Sequence, residues 1–573
     1  MCRSYPFGPL LTSLGNLDLL IFFVASGDHD FFAAAADLIR TFELTRCPTS
    51  KFEECNVKDL LNFGEILAAH ARLSPNRLGA RDLDRSMTFA QWNQRSCRLA
   101  NALLGLGLIK GDRVAILAYN CVEWCEIFAA TAKAGLVALP INFRLVGKEV
   151  QYILDNAEAS ALIVQDELVG VVEDIRKELS IKTDRFIHFG TRACPTGYRS
   201  YEDFLAAGSA HEPDQLVVPS DPWTLMYTSG TTGNPKGVVR SHRSAAVLSM
   251  VTEIELSLHR NDDALLVMPM CHANSLNFFG AFGYCGGVNS IYSRKSFDAE
   301  HCVKTLADGG STFTSLVPTH YIMMLGLPQA VRGKYNFDAV TKLMISSAPA
   351  RPETKREVME MFSRSGLFEL YGATETGWVT MLHPHEQFTN LGSVGRECVG
   401  AAPIKILDQA GNELPDGVSG ELFSCNAHTF DCYWRLPEKT KEAFRGDYCS
   451  VGDMAWRDAD GYIHLSDRKS NMIISGGENI YPSEIEALIG THPLVKDVAV
   501  IGLPDEKWGE RVHAVIVLHE GATLEETDLI EWSKDQMAGY KRPRSCALIA
   551  ESDMPRNATG KVLHRELKKR FSN

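Results

Sequence analysis

Apolar positions begin to recur with a regular period near Val57. Asn56 is placed to cap a helix carrying Leu60, Leu61, Ile66, Leu67 and Ala71. Trp92, Leu99, Leu103 and Leu104 mark a second helix. The turn pair Gly111-Asp112 leads into an uninterrupted apolar run, Val114–Leu117, which predicts a buried strand. A helix near Glu123–Lys133, a strand at Val137–Ile141, a helix near Gly147–Asn156 and a strand at Ala161–Val164 follow. Apolar strands alternating with helices predict a mostly parallel sheet covered on both faces. Later buried runs are Trp223–Met226, Leu265–Met268, Leu343–Ile345 and Phe368–Leu370, each ending in a loop rich in Gly, Pro, Ser or Thr. Ligands of open α/β sheets bind at such strand ends.

The pattern changes twice more. From Pro403 to Leu465, short alternating runs such as Ile404–Ile406 and Glu421–Phe423 are split by turns at Asp416-Gly417 and Asp460-Gly461, which reads as a β-rich subdomain. Beyond Asp467 a smaller α/β unit begins, with strands at Val498–Ile501 and Val512–Val517. Residues 1–56 show Phe pairs and an Ala run without sustained period. The expected organisation is therefore an N-terminal extension (1–56), a large α/β domain of mixed and parallel sheets with a β-rich subdomain (57–467), and a small mobile α+β C-terminal domain (468–573). One reading of the extension is that translation begins near Val57; a native mass that includes residues 1–56 would overturn it.

Composition narrows the class. Of 573 residues, 45% are hydrophobic and 23% charged, which excludes wholesale disorder. A formal net charge of −13 argues against a nucleic-acid or membrane-surface binder. The 15 cysteines are scattered without a CxxC pair or zinc-type spacing, as expected of free thiols in a reducing compartment. Cys121 and Cys125, four apart, are expected to stack on one helix face. The apolar stretch Leu17–Ala25 is about half the ~20 residues of a spanning helix. The expected location is cytoplasmic.

The strongest chemical signal is Tyr227–Val238, which reads Tyr-Thr-Ser-Gly-Thr-Thr-Gly-Asn-Pro-Lys-Gly-Val after a strand. Gly230, Gly233 and Gly237 let the backbone bend tightly and bring N–H groups to an anion. Thr228, Ser229, Thr231 and Thr232 add hydroxyls, and Lys236 adds a full charge. Such a loop suits a polyphosphate. It is not a Walker loop, since no Gly-x4-Gly-Lys-Ser/Thr spacing runs through it.

With four further segments in the same order, this loop resembles the adenylate-forming superfamily of acyl- and aryl-CoA synthetases, firefly luciferases and peptide-synthetase adenylation domains. The resemblance covers roughly Val57 to Lys569. In Tyr371-Gly-Ala-Thr-Glu-Thr-Gly377, it implies that Tyr371 and Gly372 meet adenine, Thr374 the α-phosphate, and Glu375, with Thr228, a Mg²⁺ ion. A hard cation that needs only one or two protein carboxylates beside phosphate oxygens is compatible with that assignment. Ala348 and Pro349, after Ser347, resemble the opposite wall of the adenine slot. Asp453, in Ser450–Asp453, resembles the ribose-binding aspartate, and a carboxylate suits two hydroxyls. Arg468 resembles the arginine at ribose and phosphate, and Gly476-Gly477 the lining of a pantetheine tunnel. Ser470 stands where the superfamily's hinge is commonly Asp or Lys, so the sequence departs from the pattern there and the balance between domain orientations is expected to differ. Pro555–Lys561 resembles the C-terminal loop whose lysine bridges the acid and the α-phosphate. His272 falls near the acyl site, and Lys541, in Tyr540–Arg544, near the phosphates of coenzyme A.

The resemblance implies an ATP-dependent acyl-CoA ligase. It would activate a carboxylic acid as acyl-AMP, release pyrophosphate, and pass the acyl group to the CoA thiol. ATP, Mg²⁺ and coenzyme A are the expected cofactors. A small-molecule carboxylic acid is the expected partner, with a second copy of the chain in a homodimer as a further expectation, and without nucleic acid or a membrane span. The alternatives are a ligase that loads a carrier protein in trans, a luciferase-like oxygenase, and a non-enzymatic nucleotide-binding regulator, against which Lys236, Glu375, Asp453, Arg468 and Lys561 argue. Pocket candidates for the acid are His272, Asn274, Ser275, Asn277, Tyr284 and Trp378. Trp378, if it faces the pocket, shortens it in favour of an aryl, short or medium-chain acid.

Overall fold

Among the described residues the first helix, Phe63–Leu73, starts later than the pattern predicts, because Asn62, not Asn56, accepts the Glu65 amide at its N-terminus. Leu60 and Leu61 precede it and are exposed. The computed structural model describes residues 59–228, 235–347, 350–468, 471–475, 478–505, 508–537, 539, 541–556 and 560–572, so Asn56 lies outside the described residues. The next helix, Phe89–Gly105, is set by a capping box in which Thr88 and Gln91 exchange side-chain and backbone hydrogen bonds. The helix Glu123–Ala134 is buried along its whole length and ends at Gly135, whose φ of 64° is left-handed. Cys121 lies before this helix and Cys125 in its first turn, so the two free thiols do not share a helix face; Val122, between them, starts the helix.

Two large sheets dominate. In one, the neighbouring strands Phe186–Phe189, Ala159–Gln165, Arg113–Leu117, Val137–Ile141 and Pro222–Thr228 run parallel, and Lys236–Ser241 and Cys432–Tyr433 extend the edge antiparallel. In the other, Leu78–Arg81, Val288–Ile291, Asp263–Leu266, Phe313–Leu316, Lys342–Ser346 and Gly366–Ala373 run parallel, with Gly377–Leu382 antiparallel at the side. The apolar runs in the sequence follow from this topology, since strands covered on both faces have no polar side. The core between the sheets is aromatic: Phe63, Trp92, Phe128, Trp223 and Phe279 pack together, and the indole N–H groups of Trp92 and Trp223 donate to the carbonyls of Cys125 and Phe128.

The β-rich stretch is a four-stranded antiparallel sheet, Lys405–Leu407, Gly420–Phe423, Asp453–Arg457 and Ile463–Arg468. Beyond it, Val495–Asp505 and Gly509–Leu518 form a long hairpin with its own apolar cluster, joined by Ile473–Ser475, Glu478–Ile480 and Ser545–Leu548. The fold is α/β with large mixed sheets and a smaller C-terminal α+β part. Residues Lys58–Asn573 form one compact unit. No helix of the described residues is long and apolar enough to cross a membrane.

Candidate active site

A cavity of about 300 Å³ opens where strands of both sheets end. The strand Pro222–Thr228 brings Tyr227 and Thr228, and its neighbour brings Lys236. From the second sheet come Met268 and the loop Cys271–Asn274, then Ser346 and Ser347, then Gly372–Glu375 and Trp378. Lys561, from the C-terminal part, completes the wall. It follows Gly560, whose φ of 81° turns the chain, and the Gly560 carbonyl accepts from Arg556 at 2.6 Å. Arg351, close after the Ser347 bend, donates to the carbonyl of Gly490 at 3.3 Å, so the C-terminal part also rests on that wall.

Ser347 has φ 68°, a conformation that costs a non-glycine residue energy and is held here at the cavity rim. At Gly372 the ladder between Gly366–Ala373 and Gly377–Leu382 slips by one residue. A Cβ at Gly372 would fall 2.2 Å from the Gly377 carbonyl, so only glycine lets these strands approach. The Tyr371 hydroxyl donates to Asp453 Oδ2 at 2.7 Å.

Polar order on the cavity wall centres on Glu375. Its carboxylate accepts from the Tyr433 hydroxyl at 2.8 Å, and Lys236 Nζ lies 4.2 Å from the centre of the same ring. Tyr433 thus couples the lysine of one loop to the carboxylate of another. Sequence reasoning missed it, because nothing in Asp431–Trp434 marks a site; its position depends on Cys432–Tyr433 pairing with Val238 and Val239. On the opposite side, Asn274 Nδ2 donates to Ser346 Oγ at 2.8 Å and Ser315 Oγ at 3.1 Å. Burial, with help from the Arg144 charge, pushes His272 down to about 4, so its ring is neutral at neutral pH. Burial pushes the neighbouring Cys271 thiol up to about 12, which leaves it unreactive.

Part of the cavity lining is apolar: Met226, Met268, Leu370 and Trp378 contribute to it. Trp378 lines it, and its indole N–H donates to Thr252 Oγ1 at 2.7 Å on the side away from the cavity. Phe278 packs against it with ring centres 5.4 Å apart. Three of the pocket candidates are not among the lining residues: Ser275 donates to the Met268 carbonyl, Tyr284 to the Leu61 carbonyl, and Asn277 is buried. All three sit on the helix Ala273–Cys285, which is buried on nearly every side, so exposure to the cavity could not be read from its spacing.

The cavity therefore brings together Thr228, Lys236, His272, Gly372, Thr374, Glu375 and Lys561. Tyr371 and Asp453 meet each other at its margin. Lys541 is not among the lining residues and is ion-paired with Glu484. The backbone of Arg468 pairs with that of Asp453, but its side chain lies outside the described residues. Ser229, Gly230, Thr231, Thr232, Gly233, Ala348, Pro349, Ser470, Gly476 and Gly477 also lie outside the described residues.

The family model of AMP-binding enzymes matches residues 67–434, well over half of the chain, and that of the AMP-binding enzyme C-terminal domain matches 484–561. The chain belongs to the AMP-binding enzyme family. Among AMP-binding enzymes, it is 34% identical to the long-chain-fatty-acid–CoA ligase FadD13 of Mycobacterium tuberculosis over 89% of this chain and 99% of that protein. It is 32% identical to the fatty acid–[acyl-carrier-protein] ligase ScoC of Streptomyces coeruleorubidus, over 88% and 95%. The crystal structure of the anthranilate CoA ligase AuaEII in complex with anthranoyl-AMP superimposes with a TM-score of 0.80 at 26% identity, covering 89% of this chain and 97% of that one.

Proposed function

We propose that the protein is an ATP-dependent acyl-CoA ligase acting on a short or aryl carboxylic acid. The single observation that carries this reading is one cavity lined jointly by Lys236, Thr374, Glu375, Lys561 and Trp378. Hydroxyl, carboxylate and cationic groups line the same cavity as the apolar side chains of Met226, Met268, Leu370 and Trp378.

In the first half-reaction the acid's carboxylate oxygen attacks the α-phosphorus of ATP. The bond to the bridging oxygen breaks, and pyrophosphate leaves with the electron pair. Lys561 stabilises the charge that gathers between acid and phosphate, and Thr374 binds the α-phosphate. Lys236 and the loop Thr228–Gly233 hold the remaining phosphates. Tyr371, Gly372, Ala348 and Pro349 bind adenine, and Asp453 with Arg468 the ribose. In the second half-reaction the CoA thiolate attacks the acyl carbonyl and AMP leaves, with Gly476 and Gly477 beside pantetheine and Lys541 at the phosphates. The neutral His272 orients the acid without adding charge. No nucleophilic side chain is needed, because AMP converts a poor leaving group into a good one; positioning supplies the rest.

Glu375 and Thr228 are hard oxygen donors that line the same cavity, which suits Mg²⁺. Among the described residues no cluster of three or more His, Cys, Asp or Glu offers an all-protein metal cage, and a magnesium nucleotide requires none. When bound, the ion shields phosphate charge. We further place the working domains at 57–467 and 468–573, with 1–56 as an extension.

The test is release of pyrophosphate and AMP with ATP, Mg²⁺ and a panel of carboxylic acids, with and without CoA. Turnover that requires one acid class and CoA is expected. The similarity to ScoC favours one second reading, a carrier-protein acceptor. Pyrophosphate release accelerated by a holo-carrier protein but not by CoA would establish it instead.

A further inference from the structure

The strand that begins at Lys236 carries an arginine where a residue buried on both sides should be apolar. Lys236, Val238 and Arg240 alternate onto one face of Lys236–Ser241. Val238 packs there with Phe430 and Tyr433. Arg240 is only 4% exposed. Its guanidinium donates to the Thr374 carbonyl at 2.7 Å, to Ser244 Oγ at 2.7 Å and to the His428 carbonyl.

Those contacts lie in a wider arrangement. The loop that bears Thr374 and Glu375 is held by its carbonyls: Glu375 O accepts from the Phe430 amide at 2.7 Å, Thr376 O from Asn426 Nδ2 at 3.2 Å, and Trp378 O from His428 Nε2 at 3.0 Å. Arg240 is the piece that grips both partners, the loop at Thr374 and its cradle at His428. A planar fork with several donors is suited to this; a lysine cannot span both carbonyls in one plane. The charge matters as well. Asp431 and Glu375 act on the guanidinium only at longer range, and burial draws it down to about 10. A cation left this weakly compensated behind a phosphate-binding loop becomes more stable when an anion arrives in front.

We propose that Arg240 is a positioning residue for the magnesium nucleotide: it fixes the Thr374–Glu375 backbone from behind and adds a buried positive charge to the phosphate end of the cavity. The inference rests on the function proposed above. It makes ATP affinity, not acid affinity, depend on a residue that does not line the cavity.

The experiment compares the wild type with R240M and R240K. Mg·ATP binding is read by calorimetry, and the KM values for ATP and acid by pyrophosphate release. R240M is expected to weaken Mg·ATP binding roughly 10- to 100-fold, the scale of one buried charge-assisted hydrogen bond, while the acid KM stays within about twofold. R240K, which keeps the charge without the fork, is expected to lose about threefold to tenfold, and it carries the test where methionine at this site disrupts folding. Both ATP and acid KM values rising together, or Mg·ATP binding equal to wild type in a folded variant, would overturn the inference. A wild type that does not bind Mg·ATP would overturn the proposed function itself, and this inference with it.

Discussion

Replacing Trp378 with alanine should lengthen the acid the enzyme accepts. Trp378 is 5% exposed, its indole N–H is engaged by Thr252, and only its apolar ring meets the cavity. Removing the ring opens space back to Phe278 and Thr252, room for roughly four methylene groups, each stabilised by ~0.8 kcal/mol when buried. That is about fourfold in kcat/KM per methylene and about 200-fold at most for four. Imperfect packing in the enlarged cavity reduces the gain, so at least about tenfold is expected for the best elongated acid. Thr252 keeps a partner for its own hydroxyl in the Leu248 carbonyl at 2.7 Å, so no buried donor is orphaned. The cavity costs about 3–5 kcal/mol of stability, and W378L serves as a milder companion. The assay is pyrophosphate release across a homologous series of linear saturated acids, with folding checked by thermal melting. A folded W378A whose optimum acid is the same length as that of the wild type would refute the reasoning, because the ring would then not bound the acyl site.

Three other outcomes follow from the same geometry. K561A should slow acyl-AMP formation by at least ~10²-fold, the usual scale for one charge donor at a transition state, while thioester formation from supplied acyl-AMP falls much less; equal loss in both half-reactions would rule that role out. Y433F leaves its ring over Lys236 but removes the hydroxyl that holds Glu375, and should raise the KM for Mg·ATP about tenfold, so an unchanged KM would show that the Glu375 contact is ornamental. Burial holds His242 down to about 3, and His272 and His428 down to about 4, against an ordinary value near 6.5. The unfolded chain therefore binds protons that these rings refuse, and stability must fall as pH drops below about 6.5 towards their folded values, by about 2 kcal/mol for each ring at pH 5. H272F should show a smaller drop in melting temperature between pH 7.5 and 5 than the wild type; an identical drop would mean that His272 is not buried neutral.

The family and the α/β class were legible in the chain alone, and the reason is local. A loop that must wrap phosphate needs Gly, Ser, Thr and Lys at set intervals, and the segments Tyr227–Val238, Tyr371–Gly377 and Pro555–Lys561 carry those residue types in a row. Strands buried on both faces must be apolar throughout, so Val137–Ile141 and the helix Gly147–Asn156 were readable to the residue. Ends set by a single hydrogen bond were less so: the pattern pointed to Asn56, whereas Asn62 caps the helix and Phe63, its first residue, packs into the aromatic core. Tertiary structure alone decided what meets across the site. Tyr433 reaches Glu375 because Cys432–Tyr433 pairs with Lys236–Ser241 from nearly two hundred residues earlier in the chain, and Arg240, on that same strand, reaches Thr374 in a loop of the other sheet. The Trp378 ring that lines the cavity is held by Thr252 and Phe278, on two different helices. Periodicity reports whether a side chain is buried, not which buried space it faces, and that direction is set only when distant strands and helices pack.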